Sequence, residues 1–278
     1  MGVGSPFTLH PSPFTLHPSP LHLRRYTQRR MPIALSPLEL VYCTFILLLA
    51  YGLRGSTGFG GALGMPLLAL VIPIKTLVPV WTLLGIASSI TIVGHERRHV
   101  DMRAVVPFLP WCLLGIGLGL YVFATLDAAT LARALGALVI AYAAYSLWGM
   151  MRKRAVERSQ SRVVAPLASA LSGVVGATFG TMATVFFVMY LDTRSLPKEA
   201  FRATMSAMLL VLSVVRGIGY FAVGEFTRES WVLFAAALPA MIIGIYIGNR
   251  IHLAISETTF RRLVIFTLFI CGIPLLLR

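Results

Sequence analysis

The sequence predicts an all-α polytopic membrane protein made of two repeats, each of about four transmembrane helices with a glycine-rich broken or re-entrant segment. Three observations carry this. The chain is 57% hydrophobic and only 12% charged over 278 residues, with apolar runs near the ~20 residues that a bilayer helix needs. Motifs of the first half return in the same order in the second. Two stretches, GSTGFGGALGMP (55–66) and GVVGATFGTMATV (173–185), interrupt long apolar runs with glycine and threonine. A helix broken at membrane depth is tolerated only where its backbone is buried in protein or lines a cavity, and paired breaks in two repeats point to a transport site.

The chain divides into a tail (1–32), a first transmembrane repeat (33–151), a basic linker (152–162) and a second transmembrane repeat (163–278). The tail repeats SPFTLHP at 5–11 and 12–18, and proline this dense reads as disordered or polyproline II chain, with Met31 as the working start. Ile33–Leu53 is the first span. Apolar character continues through Val71 with only Arg54 charged, about 40 residues and too long for one helix. Val80–Val93, Ala104–Ala124 and Leu131–Met151 follow. In the second half, 163–191 is the broken run, and 203–223, 231–250 and 261–277 complete the set. LPWCLLGIGLG (109–119) matches LPAMIIGIYIG (238–248) in its Leu-Pro and both later glycines, and Lys75-Thr76-Leu77 matches Arg194-Ser195-Leu196. With re-entrant glycine pieces each half crosses four times and the repeats are parallel, the arrangement the sequence favours; with full crossings the repeats are inverted.

The net charge of +14 would ordinarily suggest nucleic acid. Here the bases gather in GHERRHVDMR (94–103) and RKRAVERSQSR (152–162), so the positive-inside bias of a cell inner membrane explains them and places both loops in the cytoplasm. Cys43, Cys112 and Cys271 stand singly in apolar runs, which suggests neither a disulfide framework nor zinc. No metal and no cofactor is expected. Gly58-Phe59-Gly60 lacks the strand context of a dinucleotide loop. No span holds a mid-depth histidine for an intramembrane serine protease, so an enzyme is not expected.

The candidate site residues are the glycines, threonines and arginines of the breaks. Gly58, Gly60, Gly61 and Gly180 would expose backbone N–H groups at helix N-termini. Gly60/Gly64 and Gly176/Gly180 are also GxxxG pairs, as are Gly115/Gly119 and Gly244/Gly248, and such pairs let helices approach closely; packing is the expected role of the last two pairs. None of the ten acids falls mid-span, yet Arg54 and Arg216 lie inside apolar segments and Arg202 opens one. An intramembrane cation is costly and needs a partner. A bound anion supplies one, since the guanidinium fork gives a sulfonate or carboxylate two parallel hydrogen bonds; snorkelling to headgroups is the competing reading. Thr57, Thr178 and Thr181 either donate to anion oxygens or back-bond to their own helix carbonyls.

With these features in place, the chain from about residue 33 to 278 resembles the TauE/SafE sulfite exporter family, also called the toluene sulfonate uptake permeases. The resemblance rests on G-x-GG-x-L-x-x-P, here Gly58-Phe59-Gly60-Gly61-Ala62-Leu63-Gly64-Met65-Pro66. The second copy departs from it, with Ala177-Thr178-Phe179-Gly180-Thr181 replacing most of the glycines and Val185 in place of proline. Lys198, Ala200, Ala203 and Thr204 fit a further family pattern. The resemblance implies a secondary transporter of small anions such as sulfite, sulfonates, sulfoacetate or related carboxylates. An anion channel and a non-transporting membrane partner subunit are the alternatives. The expected partners are the anionic substrate and the lipid bilayer, not nucleic acid, and self-association stays open.

Overall fold

The structure is a computed structural model that describes residues 35–57, 61–151, 164–192, 194, 196–250 and 257–277. The SPFTLHP tail, the 152–162 linker and Gly58, Phe59 and Gly60 lie outside them. The described residues are helical, with no strand among them: α1 (Pro37–Thr57), α2 (Gly61–Leu68), α3 (Ile74–Glu96), α4 (Met102–Thr125), α5 (Ala128–Met151), α6 (Val164–Phe179), α7 (Ala183–Asp192), α8 (Lys198–Val223), α9 (Arg228–Arg250) and α10 (Glu257–Leu277). Six of them are long and apolar enough to cross a membrane: α1, α3, α4, α5, α8 and α9.

Local chemistry sets the helix starts. Ser36 and Glu39 form a reciprocal capping box, Ser36 N–H donating to the Glu39 carboxylate at 2.8 Å and Glu39 N–H to the Ser36 hydroxyl at 3.3 Å, with Pro37 at the first helical position, where a missing N–H costs nothing. Asp101 caps α4 by accepting from Arg103 N–H at 2.9 Å, and Asp127 caps α5 by accepting from Ala129 N–H at 3.0 Å.

On either side of each glycine-rich stretch a longer helix is followed by a shorter one that contacts it. Tyr42, near the start of α1, donates to the Leu67 carbonyl at the end of α2 at 3.1 Å, so α2 runs back along α1. In the second half Tyr190 of α7 donates to the Ala104 carbonyl at 2.7 Å and Phe187 stacks edge-on against Phe108 at 5.1 Å. Thus α7 returns toward the start of α4, the helix that α6 follows.

Close glycine contacts lock the long helices together. A Cβ on Gly115 would sit 2.1 Å from the Ala170 carbonyl oxygen and one on Gly119 would sit 2.5 Å from that of Val174, which presses α4 on α6. The matching positions Gly244 and Gly248 press α9 on α1, at 2.9 Å from Leu48 O and 2.0 Å from Gly52 O. Each pair acts in packing, as expected. Helices α3 and α8 form the centre of the bundle, while α4, α5 and α9 turn apolar side chains such as Leu114, Tyr121, Ile242 and Tyr246 outward, the surface a bilayer requires. At one end Lys75 of α3 donates to the Phe123 carbonyl of α4 at 2.7 Å and pairs with Glu225, after α8, at 3.9 Å. At the other end Asp101 N–H donates to Thr204 of α8 at 2.9 Å.

Candidate functional site

The sequence of the second break dictates a sharp turn. Gly180 has φ 72° and Met182 has φ 65°, both in the left-handed region; glycine enters it freely, but a non-glycine residue there costs about 1–3 kcal/mol. The helix cannot run through two such residues, so α6 stops at Phe179 and α7 restarts at Ala183. The first turn of α7 therefore offers N–H groups with no intrahelical acceptor, at the positive end of its dipole.

That turn faces a cavity of about 20 Å³ closed by α3 and α8 and lined by Gly180, Thr181, Thr184, Gly85, Ser213 and Arg216, among others, with Arg54 reaching in from α1. Gly85 falls near the middle of the Ile74–Gly94 span, and Ser213 and Arg216 near the middle of Glu199–Val223. The cavity thus lies near the middle of α3 and α8 along their length.

Two guanidinium groups dominate it. Arg54 is 6% exposed and Arg216 3%. Arg54 Nη2 donates to the Ser89 hydroxyl at 2.7 Å, and Arg216 Nη1 to the Gly176 carbonyl near the end of α6 at 2.6 Å. The Nε–H of each arginine has no hydrogen-bond partner, and neither has the Thr184 hydroxyl. No ion pair among the described residues involves either guanidinium. Serine and carbonyl partners satisfy individual N–H groups but leave two net positive charges out of water, which is unfavourable unless an anion joins them.

The structure treats the sequence-predicted residues unequally. Arg54, Arg216, Gly180 and Thr181 come together at the cavity. Thr178 instead donates to the Gly119 carbonyl at 3.2 Å, a bond that fastens α6 to α4. Arg202 Nη1 donates to the Gly55 carbonyl at 3.1 Å, near the end of α1. Positions 202 and 216 are about four turns apart on one face of α8, so each broken helix ends on an arginine from the same stripe. Thr57 ends α1 and Gly61 starts α2; Gly58 and Gly60 lie outside the described residues. Sequence reasoning missed Trp81, Gly85, Ser89, Thr184 and Ser213. Ser89 and Ser213 carried a signal, as hydroxyls in apolar helices. Gly85 did not: a Cβ there would lie 3.0 Å from Ser213 Oγ and 3.6 Å from Arg216 Nη2, so the missing side chain makes room for the arginine.

Comparison with known proteins places this arrangement. Residues 43–275 match the family model described as sulfite exporter TauE/SafE. The chain is 26% identical over 198 residues to the probable inner membrane transporter protein TsaS of Comamonas testosteroni, covering 69% of this chain and 80% of that protein. It is 25% identical over 228 residues to the probable sulfite/organosulfonate exporter TauE of Cupriavidus necator, covering 80% and 87%. No solved structure matches. A family match over most of the length, on a chain of membrane-crossing helices, leaves one assignment: this chain belongs to the sulfite exporter TauE/SafE family.

Proposed function

We propose that this protein is a secondary transporter of small anions (sulfite, sulfonates, sulfoacetate or related carboxylates) in the cell inner membrane, and that the anion binds between Arg54 and Arg216. One observation carries the reading: two buried guanidiniums line one cavity near the middle of α3 and α8, each with an unpartnered Nε–H and neither paired with an acid among the described residues. Thr181, Thr184 and the start of α7 complete the donor set, whereas Gly180, which also lines the cavity, already gives its N–H to the Gly176 carbonyl at 3.0 Å; the names of the two relatives point the same way. A cavity of about 20 Å³ has room for about one or two waters. An oxyanion therefore needs the walls to part, which suits a carrier that alternates between states better than a standing pore.

The fold reads, in this proposal, as two interlocked repeats, α1–α5 and α6–α10. The helix contacts correspond across them: α1 packs on α9 as α6 packs on α4, while α3 meets α8 and α5 meets α10. The repeats are inverted in this reading, in place of the parallel arrangement favoured from sequence. The reason is that α2 brings the chain back to the end where α1 began, so α3 repeats the direction of α1, and α6 starts from the opposite end. Single cysteines test this. With the basic loops cytoplasmic, Ser36→Cys should label from the periplasmic side and Arg97→Cys from the cytoplasmic side; labelling of both from one side refutes the inversion.

The transport test is flux of sulfite and methanesulfonate into proteoliposomes of the purified protein. Saturable, trans-stimulated flux is expected; linear conductance would indicate a channel, and no flux a partner subunit. Coupling should not depend on a membrane carboxylate, because none of the ten acids is mid-span. Asp127 sits between spans, where the hydrogen bond from the Thr130 hydroxyl, chiefly, holds its carboxyl below the usual carboxylate range. It stays ionised at neutral pH and is no proton carrier. A permanent sulfonate should then move with the membrane potential, worth ~2.3 kcal/mol per charge per 100 mV. Asp127→Asn, which keeps the cap, should leave flux unchanged. Sulfonate flux that ignores a valinomycin-clamped potential and follows a pH gradient would reject this coupling.

A further inference from the structure

We infer that Trp81 sets the upper size limit on the bound anion, its indole walling off the arginine cavity from a neighbouring apolar one. The inference rests on reading the Arg54–Arg216 cavity as the anion site. A second cavity of about 60 Å³ lies between the starts of α1, α3 and α9, lined by Cys43, Leu47, Leu68, Leu84 and Ala237 among others, and Trp81 is the residue that lines both cavities. One side of the indole thus faces charge and hydroxyls, the other hydrocarbon.

The wall is held from several directions. Trp81 is 3% exposed and packs against the Tyr51 ring at 5.5 Å. A Cβ on Gly64 of α2 would lie 2.7 Å from the indole Cη2, and one on Gly180 would lie 3.6 Å from Cδ1. The ring therefore spans from a glycine of the first glycine-rich segment to a glycine of the second break, and at Gly64 any side chain would displace it. Gly64, which the arginine site leaves unused, has its role here: it admits the benzo edge of the indole.

The chemistry of amphipathic anions makes this wall selective. An arenesulfonate presents the same oxyanion head as methanesulfonate but must place an apolar ring beside it. Within the arginine cavity that space is missing, and an apolar volume lies behind the indole. The native protein should take compact anions and reject tailed ones, and a smaller residue at 81 should join the cavities into a head-and-tail site.

The experiment is calorimetric titration of the purified full-length protein in detergent with sulfite, methanesulfonate and p-toluenesulfonate. The native protein should bind the first two and bind p-toluenesulfonate at least ~10-fold more weakly. Trp81→Ala should tighten p-toluenesulfonate by ~10-fold or more, and should raise its affinity relative to that of sulfite in the same variant by at least as much. Adding Ala237→Leu, which fills the apolar cavity from α9 without touching the arginines, should abolish the gain. Trp81→Leu serves if the alanine variant does not fold. Equal native affinity for methanesulfonate and p-toluenesulfonate, no gain in either Trp81 variant, or a gain that survives Ala237→Leu overturns the assignment while sulfite binding leaves the anion site standing. Native protein that binds no anion overturns both.

Discussion

Replacing Arg216 with methionine should raise the melting temperature of the ligand-free protein and abolish its stabilisation by sulfite or methanesulfonate. Ordinarily a buried arginine is part of a network whose loss destabilises. Here the side chain is 3% exposed, its Nε–H is unpartnered, and no acid pairs with it among the described residues. Its one described bond is to the Gly176 carbonyl, which also accepts from Gly180 N–H at 3.0 Å and so keeps a partner in the variant. An unpaired buried ion carries a desolvation penalty of several kcal/mol, so replacing it with an apolar chain of similar length should stabilise the ligand-free protein. The anion loses a charge-assisted partner, and binding should weaken on the order of 100-fold. Arg54→Met should behave alike, freeing the Ser89 hydroxyl that Arg54 now holds. Scanning calorimetry of detergent-solubilised protein with and without 10 mM-range anion, taken as about 100 times the dissociation constant, reads both effects. A lower melting temperature with the anion shift intact would make Arg216 a structural cap on α6 and remove it from the site.

The second large effect concerns the helix seams. Gly248→Ala and Gly115→Ala should each lower folded yield sharply, and the double variant should not fold. The added methyl would lie 2.0 Å from Gly52 O in the first case and 2.1 Å from Ala170 O in the second. Both obstacles are backbone atoms, which cannot rotate away, so α9 must leave α1, or α4 leave α6, by roughly 1 Å or more. Overpacking of this kind costs about 1–3 kcal/mol per site, and more where a whole seam separates. Gly117→Ala is the control, since nothing lies within 4 Å of its would-be Cβ. Size-exclusion profiles of fluorescently tagged variants measure the outcome. Monodisperse, full-yield Gly248→Ala protein would show that the close approach is dispensable.

Much of the architecture was legible because membrane folding depends on quantities that are local in sequence. Hydropathy over about twenty residues locates helices, and the observed α3, α4, α5, α8 and α9 overlap the spans expected from it. The pairs Gly115/Gly119 and Gly244/Gly248 were expected to let helices approach closely, and the backbone contacts of Gly115 and Gly248 are of that kind. The turn between α6 and α7 lies within the 173–185 stretch that glycine and threonine interrupt. Arg54 and Arg216 stood out because a cation in an apolar run has no local explanation.

What the sequence could not settle is which of several similar groups meet. Thr178 and Thr181 are three residues apart, yet the turn at Gly180 and Met182 sends Thr178 to the Gly119 carbonyl and Thr181 to the cavity. Arg202 and Arg216 share one face of α8, yet Arg202 reaches the end of α1 and Arg216 reaches the cavity. Trp81 looked like any aromatic in a buried helix until its ring was found between Gly64 and Gly180. By itself the sequence determined the helical class and most of the apolar spans, because each depends on residues next to one another in the chain. Tertiary structure alone decided which guanidiniums share a cavity and what closes it. Arg54 and Arg216 sit on different helices far apart in sequence, and only the packing of α3 against α8 and of α1 against α9 brings them to one point.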